Sequence, residues 1–175
     1  GKSLINIIET VRSGTNNKIN LSRSLNPETV KNKDTNEDEK SFHDWTQEDI
    51  ETMEELHAWD GNVEFPIACR PVMIMENVFI VPLLSANQLS IEGETMKHCV
   101  GDNYVSKAMS GSSYILSVRT ISNNGVVKHS STIEMSYSEN KKPRMKQHRG
   151  YNNTTKFSSA SISAREWLRH NKDSY

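Results

Sequence analysis

The residues best suited to chemistry stand side by side at His98 and Cys99, inside the run LSIEGETMKHCVGDNY from Leu89 to Tyr104. Near a helix end the pKa of a thiol can fall, and the thiolate is the nucleophilic form of cysteine. Neighbouring side chains on a helix diverge, so His98 is poorly placed to deprotonate Cys99, and His129 or His148 would have to do so. The alternative is a buried cysteine beside a hydrogen-bonded histidine.

A second polar group falls on two neighbouring strand patterns. Alternation along a strand places Thr132 and Glu134 on one face, and it places Gln147 and Arg149 on one face of the next strand. If these faces coincide, a carboxylate, an amide and a guanidinium cluster on the sheet, where Arg119 from the preceding strand can join them. The candidate catalytic residues are therefore His98, Cys99, Arg119, Glu134, Gln147 and Arg149.

This second group resembles the layout of PD-(D/E)xK nucleases, with Glu92 or Glu94 on the first helix. In such sites carboxylates hold a divalent cation and a basic side chain offsets phosphate charge. The resemblance implies Glu134 as a metal ligand and Mg²⁺ or Mn²⁺ as cofactor. However, Gln147 replaces the second carboxylate and Arg149 replaces lysine, which weakens a magnesium site. The alternative is a Glu134–Arg pair that only orders the sheet.

A basic run at residues 141–146 lies on the turn before the second of these strands and on the start of that strand, and it leads into amide and tyrosine side chains. Lysine and arginine neutralise phosphates, while Asn, Gln and Tyr can contact sugar, phosphate or base. An exposed row of lysines on an edge strand can also serve only to prevent unwanted sheet pairing. The candidate nucleic-acid contacts are Lys141, Lys142, Arg144, Lys146, Arg149, Tyr151 and Asn153.

Charge is divided unevenly along the 175 residues. Residues 1–92 hold 8 Lys/Arg against 16 Asp/Glu, whereas residues 93–175 hold 13 against 6. Such asymmetry either points to a polyanionic partner for the basic half or reflects acidic residues that cover it. The longest apolar run, Val78 to Leu84, is far shorter than the ~20 residues of a membrane span. With no signal-peptide pattern, we expect a cytoplasmic protein without a membrane partner.

Periodicity predicts an α+β fold with a three-stranded antiparallel sheet flanked by helices, in the order α-β-β-β-α. The sheet comprises residues 113–121, 128–136 and 144–149, between helices at residues 93–110, interrupted around Gly101, and at residues 158–170. A hairpin at residues 66–84, which could extend the sheet, and helices at residues 3–12 and 46–59 precede it. We therefore divide the chain into an acidic, partly helical extension, 1–60, and an α+β domain, 61–175.

The combination of LSIEGETMKHCVGDNY, STIEM at 131–135 and KQHRGYNN at 146–153 resembles the PcfJ-like family of conjugative plasmids and other bacterial mobile elements. The resemblance covers roughly residues 65–170, and it implies an association with plasmid transfer. It does not imply an established reaction. The positions that carry it are Glu92, Gly93, Met96, His98, Cys99, Val100, Tyr104, Arg119, Thr132, Glu134, Gln147, Arg149, Gly150 and Asn153.

Taken together, these features predict a mobile-element domain that engages DNA or RNA through its basic half, with a nuclease-like site as a further expectation. Two alternatives stay open. One is a hydrolase or transferase that depends on Cys99. The other is an adaptor without catalytic activity, which contacts a protein partner through its acidic extension.

Overall fold

The computed structural model describes residues 45–56, 62–138 and 142–172. They form one antiparallel sheet with helices on both faces. The strands are β1 Val72–Met75, β2 Val78–Pro82, β3 Tyr114–Ile121, β4 Val127–Tyr137 and β5 Pro143–Arg149. The helices are α1 Gln47–Glu55, α2 Ala86–Met96, α3 Val100–Asn103, α4 Val105–Met109 and α5 Ser159–His170, and a 3₁₀ turn covers Tyr151–Asn153.

The predicted three-stranded sheet is wrong, because the sheet has five strands in the order β1-β2-β3-β4-β5. The hairpin of β1 and β2 joins it by pairing β2 with β3, from Val78 opposite Thr120 to Pro82 opposite Leu116. Without β2, the buried strand β3 would leave a row of backbone N–H and C=O groups without partners. The α+β class and the flanking helices fit the prediction.

Local sequence signals set several boundaries. Thr46 caps α1 in a capping box with Asp49, as the pattern predicts, and the side chain of Ser85 caps α2. The β1–β2 turn places Asn77 at φ 61°, and the β3–β4 turn places Gly125 at φ 81°. Asparagine and glycine tolerate this left-handed region, so both hairpins have suitable turn residues.

One face of the sheet is covered by α5. Ala160, Ala164 and Leu168 pack there against apolar side chains of β2, β3 and β4. Ile162 of the same helix points away from this face and is 43% exposed. The small alanine side chains allow the helix to approach the sheet.

The other face is covered by α1 and by the run from α2 to α4. Met53 and Leu56 of α1 pack on Val81 and Leu84, while Leu89 of α2 lies in a separate cluster with side chains of α3, α4 and β3. Polar side chains of β3, β4 and β5 fill the remaining space on this face, and they form the site described below.

The boundary at residue 60 stays a prediction. The helix predicted at residues 3–12 lies outside the described residues, as does most of the acidic extension. Helix α1 belongs to that segment by sequence, and its contacts with Val81 and Leu84 attach it to the sheet.

Candidate functional site

The turn between α2 and α3 presents His98 and Cys99. Helix α2 ends at Met96, and Lys97 adopts left-handed backbone at φ 53°, so that the N–H of His98 reaches the carbonyl of Gly93. We predicted the interruption around Gly101, but that glycine lies inside α3. Gly101 instead permits a close helix contact, since a Cβ on it would lie 3.1 Å from the Cα of Ser90.

Glu92 projects from α2 into the polar space above the sheet and is fully buried. Its carboxylate accepts hydrogen bonds from Thr132 Oγ1 at 2.5 Å and from Ser117 Oγ at 2.9 Å. His129 Nδ1 lies 2.7 Å from Oε2, and Arg119 Nη2 lies 3.7 Å from the same oxygen. Burial raises the pKa of Glu92, but these donors outweigh burial and the pKa is lowered. Glu92 is therefore a carboxylate at neutral pH.

The hydrogen bonds of Glu92 fix the tautomer of His98. Thr132 has one hydroxyl proton, and it is directed to Glu92, since an ionised carboxylate only accepts. His98 Nε2, 2.9 Å from Thr132 Oγ1, must therefore carry a proton and donate it. His98 Nδ1 then holds the free lone pair, and this buried atom has no hydrogen-bond partner among the described residues. Burial lowers the pKa of His98, while Glu92 opposes the shift, so the ring is neutral at pH 7.

A second hydrogen-bonded group surrounds Glu134, which is also buried. Ser113 Oγ donates to Oε1 at 2.7 Å, and the Tyr104 hydroxyl donates to Oε2 at 3.3 Å. Gln147 Nε2 donates in turn to the Tyr104 hydroxyl oxygen at 3.2 Å. Burial and the neighbouring Glu134 raise the pKa of Tyr104, while Arg149 acts in the opposite direction. Tyr104 is therefore protonated at neutral pH.

The two groups meet in a cleft with about 340 Å³ of empty space, part of it open to solvent. Register places Thr132 opposite Arg149 and Glu134 opposite Gln147, so the two strand faces predicted from alternation coincide. Arg149 is half-buried and has no carboxylate within 4.0 Å among the described residues. The cleft is lined by His98, Cys99, Val100, Tyr104, Ile115, Thr132, Glu134, Gln147, Arg149 and Asn153.

Five of the six candidate catalytic residues line this cleft, and Arg119 does not. Arg119 lies beneath α1, where Nη1 donates to the carbonyl of Leu56 and Nε donates to Ser117 Oγ at 3.1 Å. It compensates the charge of Glu92 from a position behind the cleft. A ligand in the cleft would therefore not contact Arg119.

The candidate nucleic-acid contacts are divided between the cleft and the edge strand β5. Arg149 and Asn153 line the cleft. Lys142, Arg144 and Lys146 are exposed on β5 or just before it, Tyr151 is exposed after it, and Lys141 lies outside the described residues.

Sequence reasoning left Tyr104, Thr132 and Ser113 out of the candidate site. Thr132 had a usable signal, because it alternates with Glu134 on the same face of one strand. Ser113 had none, since its contact with Glu134 depends on the register of β3 against β4.

The residues that open on the cleft are a poor match for a divalent cation. Among the described residues, no three His, Cys, Asp or Glu side chains are grouped so that they could share a metal ion. Glu134 is the one carboxylate lining the cleft, and both of its oxygens already accept hydrogen bonds. Mg²⁺ or Mn²⁺ at Glu134 therefore stays a prediction that this geometry does not favour.

Cys99 is exposed and Cys69 is buried, and the two do not form a disulfide with each other. His129 is bonded to Glu92, and His148 lies on the other face of the sheet against Phe157. Neither histidine is thus positioned to deprotonate Cys99. Within the described part of the chain, His98 is the one imidazole that lines the cleft.

A family model described as "PcfJ-like protein" matches residues 10–161 of the chain. The chain belongs to the PcfJ-like family. The match begins earlier than the motifs that suggested the family, and it includes α1. No curated protein and no solved structure matches this PcfJ-like chain. Within the described residues, the helices are all too short or too polar to cross a membrane.

The residues that carry the PcfJ-like resemblance in the sequence converge in the structure. Nine of the ten cleft-lining residues belong to that set, and the exception is Ile115. Glu92 and Arg119, two further members, lie directly behind Thr132. The cleft is therefore the best candidate for the functional site of the PcfJ-like chain.

Proposed function

We propose that this PcfJ-like chain binds nucleic acid along β5, with the phosphate backbone entering the cleft at Arg149. The observation that carries the proposal is the guanidinium of Arg149, which has no carboxylate within 4.0 Å among the residues that the structure describes. Gln147 on the same strand and Asn153 line the same cleft. A half-buried cation without a carboxylate partner favours an anionic ligand, and arginine matches phosphate geometry with two parallel N–H donors.

The strand that carries Arg149 extends this positive charge beyond the cleft. Arg144 and Lys146 are exposed on β5, and Lys142 precedes the strand. None of the three has a carboxylate within 4.0 Å among the described residues. Tyr151, 58% exposed just after the strand, offers a ring on which a base can stack. This arrangement combines a cationic track with a polar cleft, as sequence-tolerant binding of a phosphate backbone requires.

Membership of the PcfJ-like family supports a more specific form of this proposal. The bound nucleic acid would belong to a plasmid or another mobile element, and binding would take place in the cytoplasm. The acidic extension, residues 1–60, would contact a protein partner.

The test is fluorescence anisotropy with labelled single- and double-stranded DNA and RNA of one sequence over a range of salt concentrations. We expect Arg149→Gln to weaken binding and to reduce the slope of log K against log salt by about one, the effect of one lost phosphate contact. Arg169→Gln is the matched control, because Arg169 is exposed on α5 at the other face of the sheet and should leave the slope unchanged. An affinity that does not depend on salt, or no binding of any of the four nucleic acids, would contradict the proposal.

The two alternatives from the sequence have distinct outcomes in the same experiments. Cys99 lines the cleft and is exposed, which favours alkylation by iodoacetamide. If nucleic acid is not bound and alkylation removes an activity on an ester or amide, the Cys99-dependent enzyme replaces the present proposal. If Glu134→Ala lowers stability and changes no binding, the polar residues of the cleft have the structural role expected in an adaptor.

A further inference from the structure

We infer that the cleft holds one unpaired base, so that the chain binds single-stranded nucleic acid in preference to a duplex. This inference rests on the proposed binding of a phosphate backbone at Arg149, and it adds the substrate class. It starts from the part of the cleft that a phosphate contact leaves unexplained. Besides Arg149, the cleft is lined by the apolar side chains of Val100 and Ile115 and by the carboxylate of Glu134.

The register of the sheet places the cleft residues of the strands in two adjacent rows. Ile115, Glu134 and Gln147 lie opposite one another on β3, β4 and β5. Thr132 and Arg149 face each other in the next row, which is two residues, or about 7 Å, further along the strands. A nucleotide whose phosphate binds Arg149 can therefore lay its base on the row of Ile115.

The row of Ile115 favours a neutral ring over a phosphate. The carboxylate of Glu134 accepts hydrogen bonds from Ser113 and Tyr104, and its negative charge would repel a second anion. Val100 and Ile115 belong to one apolar cluster. They offer no hydrogen bond to a phosphate, but they can pack against the face of a base. The two rows thus suit the two parts of a nucleotide.

Two amide side chains are available to the polar edge of such a base. Gln147 donates through Nε2 to the Tyr104 hydroxyl, and its carbonyl oxygen can still accept. Asn153 lines the cleft, and its amide has no hydrogen-bond partner among the described residues. The backbone of Asn153 is left-handed at φ 58°, a conformation that costs free energy in a residue other than glycine. Amides of this kind bond the donors and acceptors of base edges.

A cleft of this kind selects a base that is not paired. Its empty space of about 340 Å³ lies at the lower end of the range for small-ligand sites. In a duplex, the pairing edge of each base is bonded to its partner and both faces are stacked, so a base must leave the helix before it can enter the cleft. A single strand does not meet this cost. Tyr151, exposed just after β5, can stack on a neighbouring base of the same strand.

The test is fluorescence anisotropy at one salt concentration with labelled DNA of one length. The ligands are a single strand, its duplex, and a single strand of abasic units that keeps every phosphate, with single-stranded RNA of the same sequence as a fourth. We expect the DNA and RNA single strands to bind at least about tenfold more tightly than the duplex and the abasic strand, the effect of about one stacked base.

Asn153→Gly tests the cleft itself, because it removes the amide and tolerates the left-handed backbone. Asn152→Gly is the matched control, since Asn152 has φ 52° and is not one of the residues that line the cleft. Asn153→Gly should weaken binding of the normal single strand about 3- to 10-fold, the effect of one lost hydrogen bond. It should leave the abasic strand and the salt slope unchanged, whereas Arg149→Gln should weaken both strands and reduce the slope.

Cys99 allows a second test, in which the cleft is filled without a change of charge. It is exposed and lines the cleft, so N-ethylmaleimide can modify it. The modified protein should lose its preference for the normal single strand over the abasic one and should keep its salt slope. The same treatment of Cys99→Ser is the control, because Cys69 is buried.

The outcomes separate this inference from the proposed function. Salt-dependent binding that is equal for the single strand, the duplex and the abasic strand overturns the inference and leaves phosphate binding in place. A preference for the single strand that survives both Asn153→Gly and modification of Cys99 also overturns it, because the bases would then bind outside the cleft. If none of the nucleic acids binds, the proposed function fails, and the inference fails with it.

Discussion

At the scale of single residues, the buried charge of Glu92 determines much of the site. A carboxylate out of contact with water is stable only if donors and a cation compensate it. Here Arg119 supplies the cation, and Thr132, Ser117 and His129 supply the hydrogen bonds. These partners come from β3 and β4, so the carboxylate on α2 fixes the helix to the sheet and also orients His98.

Glu92→Gln should therefore destabilise the fold strongly. The variant leaves Arg119 buried without its counter-charge, and it places an amide N–H₂ where donors already converge. Breaking a buried pair in this way typically costs about 3–5 kcal/mol. Urea denaturation monitored by circular dichroism measures the loss. Glu94→Gln, on the exposed side of the same helix, is the control and should stay within about 0.5 kcal/mol of wild type. Equal midpoints for the two variants would contradict the compensation described here.

The tautomer of His98 is a second prediction at this scale. Nitrogen-15 NMR of the imidazole should show a protonated Nε2 and an unprotonated Nδ1 near pH 7, because Thr132 can only accept from His98. Thr132→Ser should preserve this pattern, since it keeps the hydroxyl. Thr132→Val removes it, so the two tautomers should become mixed. A wild-type spectrum with the proton on Nδ1 would refute the tautomer that the hydrogen bonds of Thr132 assign to His98.

At the scale of elements, the close contact of α2 with α3 holds the His98 turn. A Cβ on Gly93 would lie 2.9 Å from the backbone nitrogen of Gly101 and 3.1 Å from the carbonyl oxygen of His98. Both of these atoms belong to the backbone, so neither can move alone. The two glycines therefore determine where the turn, and with it His98, can lie.

Gly93→Ala should shift this turn away from the sheet. Overpacking of this kind costs about 1–3 kcal/mol. The shift should also break the hydrogen bond between His98 and Thr132, so nitrogen-15 NMR of the His98 imidazole should show mixed tautomers. Thr95→Ala on the exposed side of α2 is the control and should keep the wild-type spectrum. A wild-type imidazole spectrum in a folded Gly93→Ala protein would show that the close contact does not position His98.

The packing of β5 against the segment before α5 should depend on pH. His148 is buried, stacks on Phe157 at 4.0 Å between ring centroids, and lies 2.8 Å from Ser131 Oγ through Nε2. Burial, reinforced by Arg165 and Arg149, lowers the pKa of His148 to about 4 from an ordinary value of 6.5. Between these two values the unfolded chain binds a proton that the folded chain does not. Stability should therefore fall as the pH drops from about 6.5 to about 4.

The measurement is the urea midpoint at pH 7 and at pH 5 for wild type and His148→Gln. Other groups titrate in both proteins. The change in urea midpoint between pH 7 and pH 5 is therefore compared between wild type and His148→Gln, and the difference is due to His148. The variant should lose less stability on acidification than wild type. An identical loss in both proteins would show that His148 is not protonated on unfolding.

Elements with local signals could be predicted from the sequence, and those that depend on distant contacts could not. The capping box at Thr46 and the turns at Asn77 and Gly125 each depend on a few adjacent residues. The end of α2 at Lys97 was missed, because lysine rarely adopts left-handed backbone. The pairing of β2 with β3 was only one option in the sequence, since 31 or more residues separate the paired strands.

The candidate site shows the same division. Alternation placed Thr132 with Glu134, and Gln147 with Arg149, on one face of each strand, because strand geometry is local once the strands are identified. Whether the two faces coincide depends on the register of β4 against β5, which the sequence left open. The contact of Glu92 with Thr132 spans 40 residues and depends on how α2 lies on the sheet. No spacing in the sequence could distinguish the buried Glu92 from the exposed Glu94 as the partner of the sheet.

At the scale of the whole molecule, acidic and basic side chains are concentrated over different strands of the sheet. Helix α1, with the sequence QEDIETMEE, packs over β2, whereas the basic strand β5 forms an edge of the sheet three strands away. Three strand spacings are about 14 Å, which exceeds the Debye length of about 10 Å at 0.1 M salt. If the chain binds nucleic acid as proposed, the acidic helix would repel an approaching strand at low salt and would be screened at higher salt.

This separation leads to a prediction about association rates. Glu48 is exposed on α1, so Glu48→Gln removes a negative charge without disturbing the core. The substitution should raise the association rate with nucleic acid at about 0.01 M salt, where the Debye length is about 30 Å, and should have no effect at about 0.3 M. Arg149→Gln should instead slow association and speed dissociation at both concentrations, because Arg149 is expected to contact phosphate directly. Stopped-flow anisotropy measures both rates. A Glu48→Gln effect that persists at high salt would mean that α1 itself touches the nucleic acid, so that the bound strand extends from β5 across the sheet.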